Sequence, residues 1–132
     1  MWEIKTENYS DNSILSGSYN SGDSFLRVLH VDDENSQLEM LQLFLSQLDA
    51  SVEVVSCSNP LEGLRLVAED GFDCVVSDFL MPPMNGVEFA SRVKELKDIP
   101  FILYTGQGSE EVAEHVFQAG ADDYIRKEIE PS

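Results

Sequence analysis

Three aspartates stand at the ends of apolar runs in this chain: Asp32 and Asp33 after "FLRVLHV", and Asp78 after "CVVS". If those runs are neighbouring strands, three carboxylates meet at one edge. Left bare, they repel one another or hold a proton. A hard divalent cation relieves that repulsion with oxygen ligands, and magnesium accepts a few carboxylates while keeping water for a phosphate oxygen. A cap or a turn explains one such Asp; three at adjacent strand ends ask for a counter-charge. Two further runs end in groups suited to an anion. "PFILYT" closes on Thr105, followed by Gly106, which is small enough to let a tetrahedral anion reach the backbone. "DYIRK" brings Lys127 to the same edge. An ammonium and a metal would neutralise phosphoryl oxygens while the Thr105 hydroxyl donates a hydrogen bond. Asp78 is then the nucleophile, since a carboxylate can attack phosphorus to give an acyl phosphate.

These residues share an edge only if the elements between them are right. "FLRVLHV", "VEVVSC", "DCVVS", "PFILYT" and "DYIR" read as five short strands, most of them too apolar to have one wet face. Helical periodicity fills the gaps. In "NSQLEMLQLFLSQL", Leu38, Leu41, Leu45 and Leu48 recur at helical spacing and Phe44 widens the stripe. "NPLEGLRLVAED" opens with Asn59 as N-cap, Pro60 at the first helical position and Glu62 in a capping box, with Leu61, Leu64, Val67 and Ala68 as its apolar face. "GVEFASRVKEL" and "SEEVAEHVFQAG" are the third and fourth helices, the latter capped by Ser109 and stopped at Gly120. Strand and helix alternate, so right-handed crossovers give an α/β fold: a doubly wound, flavodoxin-like, five-stranded parallel sheet in the order 2-1-3-4-5. Ligands in such sheets sit beyond the carboxyl ends of the strands, near the switch point between strands 1 and 3.

Composition limits the partners. The chain has 132 residues and a net charge of -17, from 25 acids against 8 bases, which repels phosphate backbones and anionic lipids at long range. Direct nucleic-acid binding and membrane association are not expected. No stretch approaches the roughly 20 apolar residues of a membrane helix, so a cytoplasmic protein is the simplest expectation. Cys57 and Cys74 lie in apolar runs without a partner at metal spacing and read as buried thiols. His30 reads as a core histidine and His115 as a surface one. Residues 1–24, rich in Ser, Asn, Gly and Asp, read as a flexible arm ahead of a domain over 25–132.

Taken together, "VLHVDDE", "VVSDFLMPPMNG", "ILYTG" and "AGADDYIRK" resemble the ordered motifs of the receiver domain of two-component response regulators. The resemblance runs from about Leu26 to Glu128, and the stretch from Phe101 also resembles receivers attached to archaeal sensor kinases. It implies that Asp78 accepts phosphate from the phosphohistidine of a sensor histidine kinase. It implies Mg2+ held by Asp33, Asp78 and the backbone carbonyl of Leu80, with Asp32 acting through water. It further implies that Lys127 pairs with the phosphoryl group, that Thr105 swings towards it and that the ring of Tyr124 turns inward.

Two departures from the family stand out. Glu128 follows Lys127 where a proline is usual, so a trans bond is expected there, a cis bond without proline costing about 2.5–4 kcal/mol. Only "IEPS" follows Glu128, so the fifth helix of the family is absent or truncated and an apolar strip of sheet and first helix is expected to lie bare. A piece of a longer protein is the favoured explanation; cover by the arm or by a homodimer are the alternatives. Rival functions fare worse. A haloacid-dehalogenase-type phosphatase carries a second Asp two residues after its nucleophile, where this chain has Leu80. A pseudo-receiver used only for protein contacts has no need of the full Asp, Thr and Lys set.

Overall fold

A computed structural model describes residues 26–127. The expected arm, Glu128 with its peptide bond, and the stretch beyond it lie outside the described residues. The strands are β1 (Leu26–Val31), β2 (Val52–Cys57), β3 (Cys74–Ser77), β4 (Leu80–Met81), β5 (Met84–Asn85), β6 (Phe101–Thr105) and β7 (Asp123–Arg126). The helices are α1 (Asn35–Leu48), α2 (Pro60–Glu69), α3 (Gly86–Leu96) and α4 (Glu110–Gln118). Five strands form one parallel sheet in the order β2-β1-β3-β6-β7, which is the expected 2-1-3-4-5 arrangement. The stretch after Asp78 forms an antiparallel pair, Leu80 opposite Asn85 and Met81 opposite Met84. The Pro82–Pro83 bond at its tip is cis.

Alternation along the strands sends side chains to two cores. Leu29, Val31, Val75, Phe101 and Leu103 pack against Val67 of α2, Phe89, Ala90 and Val93 of α3, and Val116 of α4. Each such side chain contributes about 1.5–3 kcal/mol when fully buried. Phe89 meets Phe101 edge to face at 5.7 Å between centroids. On the other face Leu26, Val28, Cys74, Val76 and Ile102 pack with Leu41 of α1. Both cysteines are buried, as is His30, and His115 is exposed, as expected.

Helix starts follow the local chemistry. The side chains of Asn59, Asn85 and Ser109 accept backbone N–H groups of Leu61, Glu88 and Val112. Gly120, at φ 112°, ends α4 in the left-handed region. Two details differ from expectation. Glu62 makes no capping box: its carboxylate pairs with Arg65 one turn on, and Asn59 caps alone. Leu61 and Ala68 are exposed, because α2 turns Pro60, Gly63 and Val67 inward, with the Phe89 ring lying over Gly63.

The first helix buries less than its stripe suggested. Only Leu38 is buried in α1, while Met40, Leu43, Phe44 and Leu48 are 57–65% exposed. Among the described residues α1 is the helix on that face, so one flank of it has no neighbour. The sheet beneath is not bare: Leu26, Val28, Cys74, Val76 and Ile102 are all buried. β7 is an edge strand with three of its four residues exposed, short of the burial expected of it.

Candidate functional site

The parallel ladder continues one residue past β1 and β3 and thereby sets the acids side by side. Asp32 N–H donates to the Cys57 carbonyl at 3.1 Å, and Asp78 N–H donates to the Val31 carbonyl at 3.0 Å. Asp32 is fully buried, Asp78 is 9% exposed and Asp33 faces solvent. Carboxylate oxygens of all three lie within 4.8 Å of one another. Local bonds fix their headings: Asp32 Oδ1 accepts from Glu34 N–H at 3.0 Å, and Asp78 Oδ1 accepts from Phe79 N–H at 2.8 Å. Asp78 is further held from below. Gly86 N–H donates to Phe79 O at 2.7 Å, and a Cβ at Gly86 would lie 2.7 Å from the Asp78 carbonyl oxygen. The strand-end acid therefore rests on a glycine.

Lys127 and Thr105 close the site from the other side of the switch point. The Lys127 N–H donates to the Thr105 carbonyl at 2.9 Å, which ties the ends of β6 and β7 together. Thr105 is fully buried, and its Oγ1 accepts from Gln107 N–H at 3.0 Å. The ammonium of Lys127 reaches back to Asp32 Oδ2 at 3.2 Å, a pairing with no sign in the sequence. A cleft of ≈ 410 Å³ opens above these groups, lined among others by Asp33, Asp78, Leu80, Tyr104, Gly106 and Lys127. Tyr124 stands apart, its hydroxyl buried over Gly108 and without a hydrogen-bond partner among the described residues.

The charges respond to burial and to one another. Loss of water pushes the Asp32 carboxyl up, and Asp78 adds to this, while the Glu34 N–H and Lys127 oppose it. His30, behind the site, is pushed down to about 4 by burial and then by the Lys127 ammonium, with Asp78 pulling the other way. Three carboxylates with one ammonium leave a negative excess, and all the donors are hard oxygens. That donor set suits a hard divalent cation and not a soft one.

Of the strand-end residues singled out in the sequence, Asp33, Asp78 and Lys127 line one cleft with Leu80, Asp32 lies buried against them, and Thr105 is buried at the end of β6, joined to Lys127 through its carbonyl. Two participants were missed. Gly86 read as the first residue of the third helix and is a close-approach residue; Tyr104 read only as part of the strand "PFILYT", yet its ring centroid lies 5.1 Å from the Lys127 ammonium. Alternation could have put Tyr104 on the α1 face, but nothing in the sequence places Lys127 beside it.

The chain is similar to known proteins over most of its length. The transcriptional regulatory protein SrrA of Staphylococcus aureus is 35% identical over 104 residues, 79% of this chain, and the chain spans 42% of that protein's length. The crystal structure of a CheY-like response regulator receiver domain protein from Methanospirillum hungatei superposes with a TM-score of 0.73 at 30% identity, covering 80% of this chain and 84% of the other. The response regulator TrrA of Thermotoga maritima, solved with Mg(2+)-BeF, gives 0.69 at 32% identity over 78% of this chain and 87% of its own. The response regulator receiver domain model matches residues 28–132. With that match and this cleft, the chain belongs to the response regulator receiver domains, signalling modules phosphorylated on an aspartate in two-component systems.

Proposed function

We propose that Asp78 is the phosphoacceptor of this chain and takes its phosphoryl group from a phosphohistidine of a sensor histidine kinase, with Mg2+ as cofactor. The observation that supports this best is the meeting of three carboxylates and a lysine ammonium at the switch point of the sheet, with Thr105 buried at the end of β6. Asp33, Asp78 and the Leu80 carbonyl would hold the cation, with Asp32 acting through water. When bound, Mg2+ supplies positive charge to the phosphoryl oxygens.

The residues of the chain do the rest. An Asp78 carboxylate oxygen forms the new bond to phosphorus as the phosphorus–nitrogen bond breaks, and the electron pair returns to the kinase imidazole. Lys127 exchanges Asp32 for a phosphoryl oxygen. Thr105 turns its hydroxyl from the Gln107 N–H to donate to another, and Tyr124 follows it. Such a module is not an enzyme in the usual sense, although the same groups assist transfer onto Asp78 and later hydrolysis. Its net charge of -17 argues against direct contact with nucleic acid.

Incubation with acetyl phosphate and Mg2+, followed by intact mass measurement, tests the assignment. A gain of one phosphoryl group is expected, absent in Asp78→Asn and in chelator. An equal gain in Asp78→Asn would overturn it.

A further inference from the structure

Lys127 is held at two points. Its ammonium lies 3.2 Å from Asp32 Oδ2 and 5.1 Å from the centroid of the Tyr104 ring, and its side chain is only 15% exposed. The first contact is temporary on the mechanism above, because Lys127 must leave Asp32 to meet a phosphoryl group on Asp78. The second need not be broken, since Tyr104 and Lys127 both line the cleft that contains Asp78. An ammonium ion over an aromatic face is attracted by the ring quadrupole, more so where water is excluded.

The ring itself has little freedom. Tyr104 is the residue before Thr105 on β6, and β6 lies between β3 and β7 in the sheet, in register with β7 so that Tyr104 faces Ile125 and Thr105 faces Arg126. The Lys127 N–H bond to Thr105 O fixes the root of the lysine next to the ring. Backbone and ring together restrict the arc through which the ammonium can swing.

We propose that Tyr104 is a positioning residue for phosphoryl transfer: the face of its ring carries the Lys127 ammonium as it passes from Asp32 to the phosphoryl group on Asp78. This rests on Asp78 being the phosphoacceptor. The hydroxyl of Tyr104 has no part in the role, so an aromatic ring suffices and an aliphatic side chain does not.

The test uses the full chain with Tyr104→Phe and Tyr104→Leu, with Tyr104→Met in place of the latter if it folds poorly. Phosphorylation rates with acetyl phosphate and Mg2+, Mg2+ affinity, and the NMR shifts of the Lys127 methylene protons are measured. Tyr104→Phe should react within about twofold of the parent, and Tyr104→Leu about fivefold slower, as expected for a contact of this strength. Mg2+ affinity should be the same in all three. The Lys127 methylenes should show an upfield ring-current shift in the parent and in Tyr104→Phe, lost in Tyr104→Leu. In a Lys127→Gln background the Leu substitution should cost nothing further. A Leu variant as fast as the parent, or a Phe variant as slow as Leu, overturns the role of Tyr104 alone. A parent chain that takes no phosphoryl group overturns the assignment of Asp78, and the role of Tyr104 falls with it.

Discussion

The hydroxyl of Tyr124 occupies the space that a Cβ on residue 108 would need, so this seat of the ring exists only because that residue is Gly108. The hydroxyl is buried there without a partner among the described residues, which costs about 1–3 kcal/mol. Packing of the ring holds the seat; hydrogen bonding does not. Gly108→Ala should expel the ring into solvent, and Tyr124→Phe should settle it more firmly. Fluorine NMR reads the first in fluorotyrosine-labelled protein and the second in fluorophenylalanine-labelled protein, and a buried Tyr124 resonance in Gly108→Ala would contradict the steric argument.

Thr105 links this seat to the cleft. Its Oγ1 holds the Gln107 N–H, and Gly108 follows directly. Thr105→Ala should still accept a phosphoryl group on Asp78, because none of the groups proposed to bind metal or attack phosphorus is removed. It should lose the accompanying Tyr124 movement, since the loop no longer feels the hydroxyl turn. The same fluorine probe, recorded with and without beryllofluoride and Mg2+, checks this; a normal Tyr124 response in Thr105→Ala would break the link.

Most of this framework was legible in the sequence, and the reasons differ by element. Parallel strands buried on both faces need continuous apolar runs, as in "CVVS", and even the edge strands "VEVVSC" and "DYIR" have limits that match residue for residue. The acids at strand ends followed from topology alone. Contacts between side chains distant in sequence did not, and Lys127 to Asp32, 95 positions apart, is one of them. Gly86 shows a subtler limit. Asn85-Gly86 suggests a turn needing a left-handed residue, yet Asn85 serves as the α3 N-cap and Gly86 is required for close approach to Asp78. Leu48 and Phe44 fit the helical period but lie exposed, because periodicity shows which face is apolar and not whether anything covers it.

Gly86 yields its own prediction. A methyl group there meets the Asp78 carbonyl and Leu103 Cδ1, each at 2.7 Å, and the Phe79 Cα at 3.0 Å. Backbone cannot give way cheaply, so Gly86→Ala should destabilise the fold by about 1–3 kcal/mol and tilt Asp78 out of line. Phosphorylation should slow more than stability alone explains. Urea titration and acetyl phosphate kinetics on the folded fraction separate the two effects; unchanged kinetics would mean that Asp78 does not depend on this contact.

Asp122 governs the opposite end of the sheet. Its Oδ2 accepts from the Lys94 ammonium at 2.7 Å and from the Phe101 N–H at 2.8 Å. Burial alone would raise its carboxyl, but the Lys94 and Phe101 bonds outweigh it and hold it below the usual range. A carboxyl lowered by folding stabilises the fold at pH above its unfolded value, near 3.9, and that contribution is lost as pH falls through the folded value. Half of the side chain is exposed, so solvent screening limits the titrating part to on the order of 0.5 kcal/mol. Asp122→Ala should cost about 1–2 kcal/mol at neutral pH, from the Phe101 N–H that loses its acceptor while Lys94 keeps the Ile99 carbonyl, and the gap should narrow below about pH 4. A gap that stays constant or widens on acidification would show that the carboxylate charge is not what matters.

The acid cluster makes a final prediction that needs no phosphate. Asp32, Asp33 and Asp78 crowd their oxygens within 4.8 Å against one ammonium, so the folded chain carries local repulsion that the unfolded chain escapes. A cation bound only by the folded state adds RT ln(1 + [L]/Kd), about 2.7 kcal/mol at a hundred times Kd. For a domain of this size that corresponds to a rise in Tm on the order of 10 °C. Mg2+ should give such a rise, a chelator should abolish it, and sodium chloride at equal ionic strength should give far less. Asp33→Asn should reduce the Mg2+ response while slightly raising the Tm of the metal-free chain, because removing one charge relieves the crowding. A metal-free Tm that falls in Asp33→Asn would mean that Asp33 is held by interactions other than this repulsion.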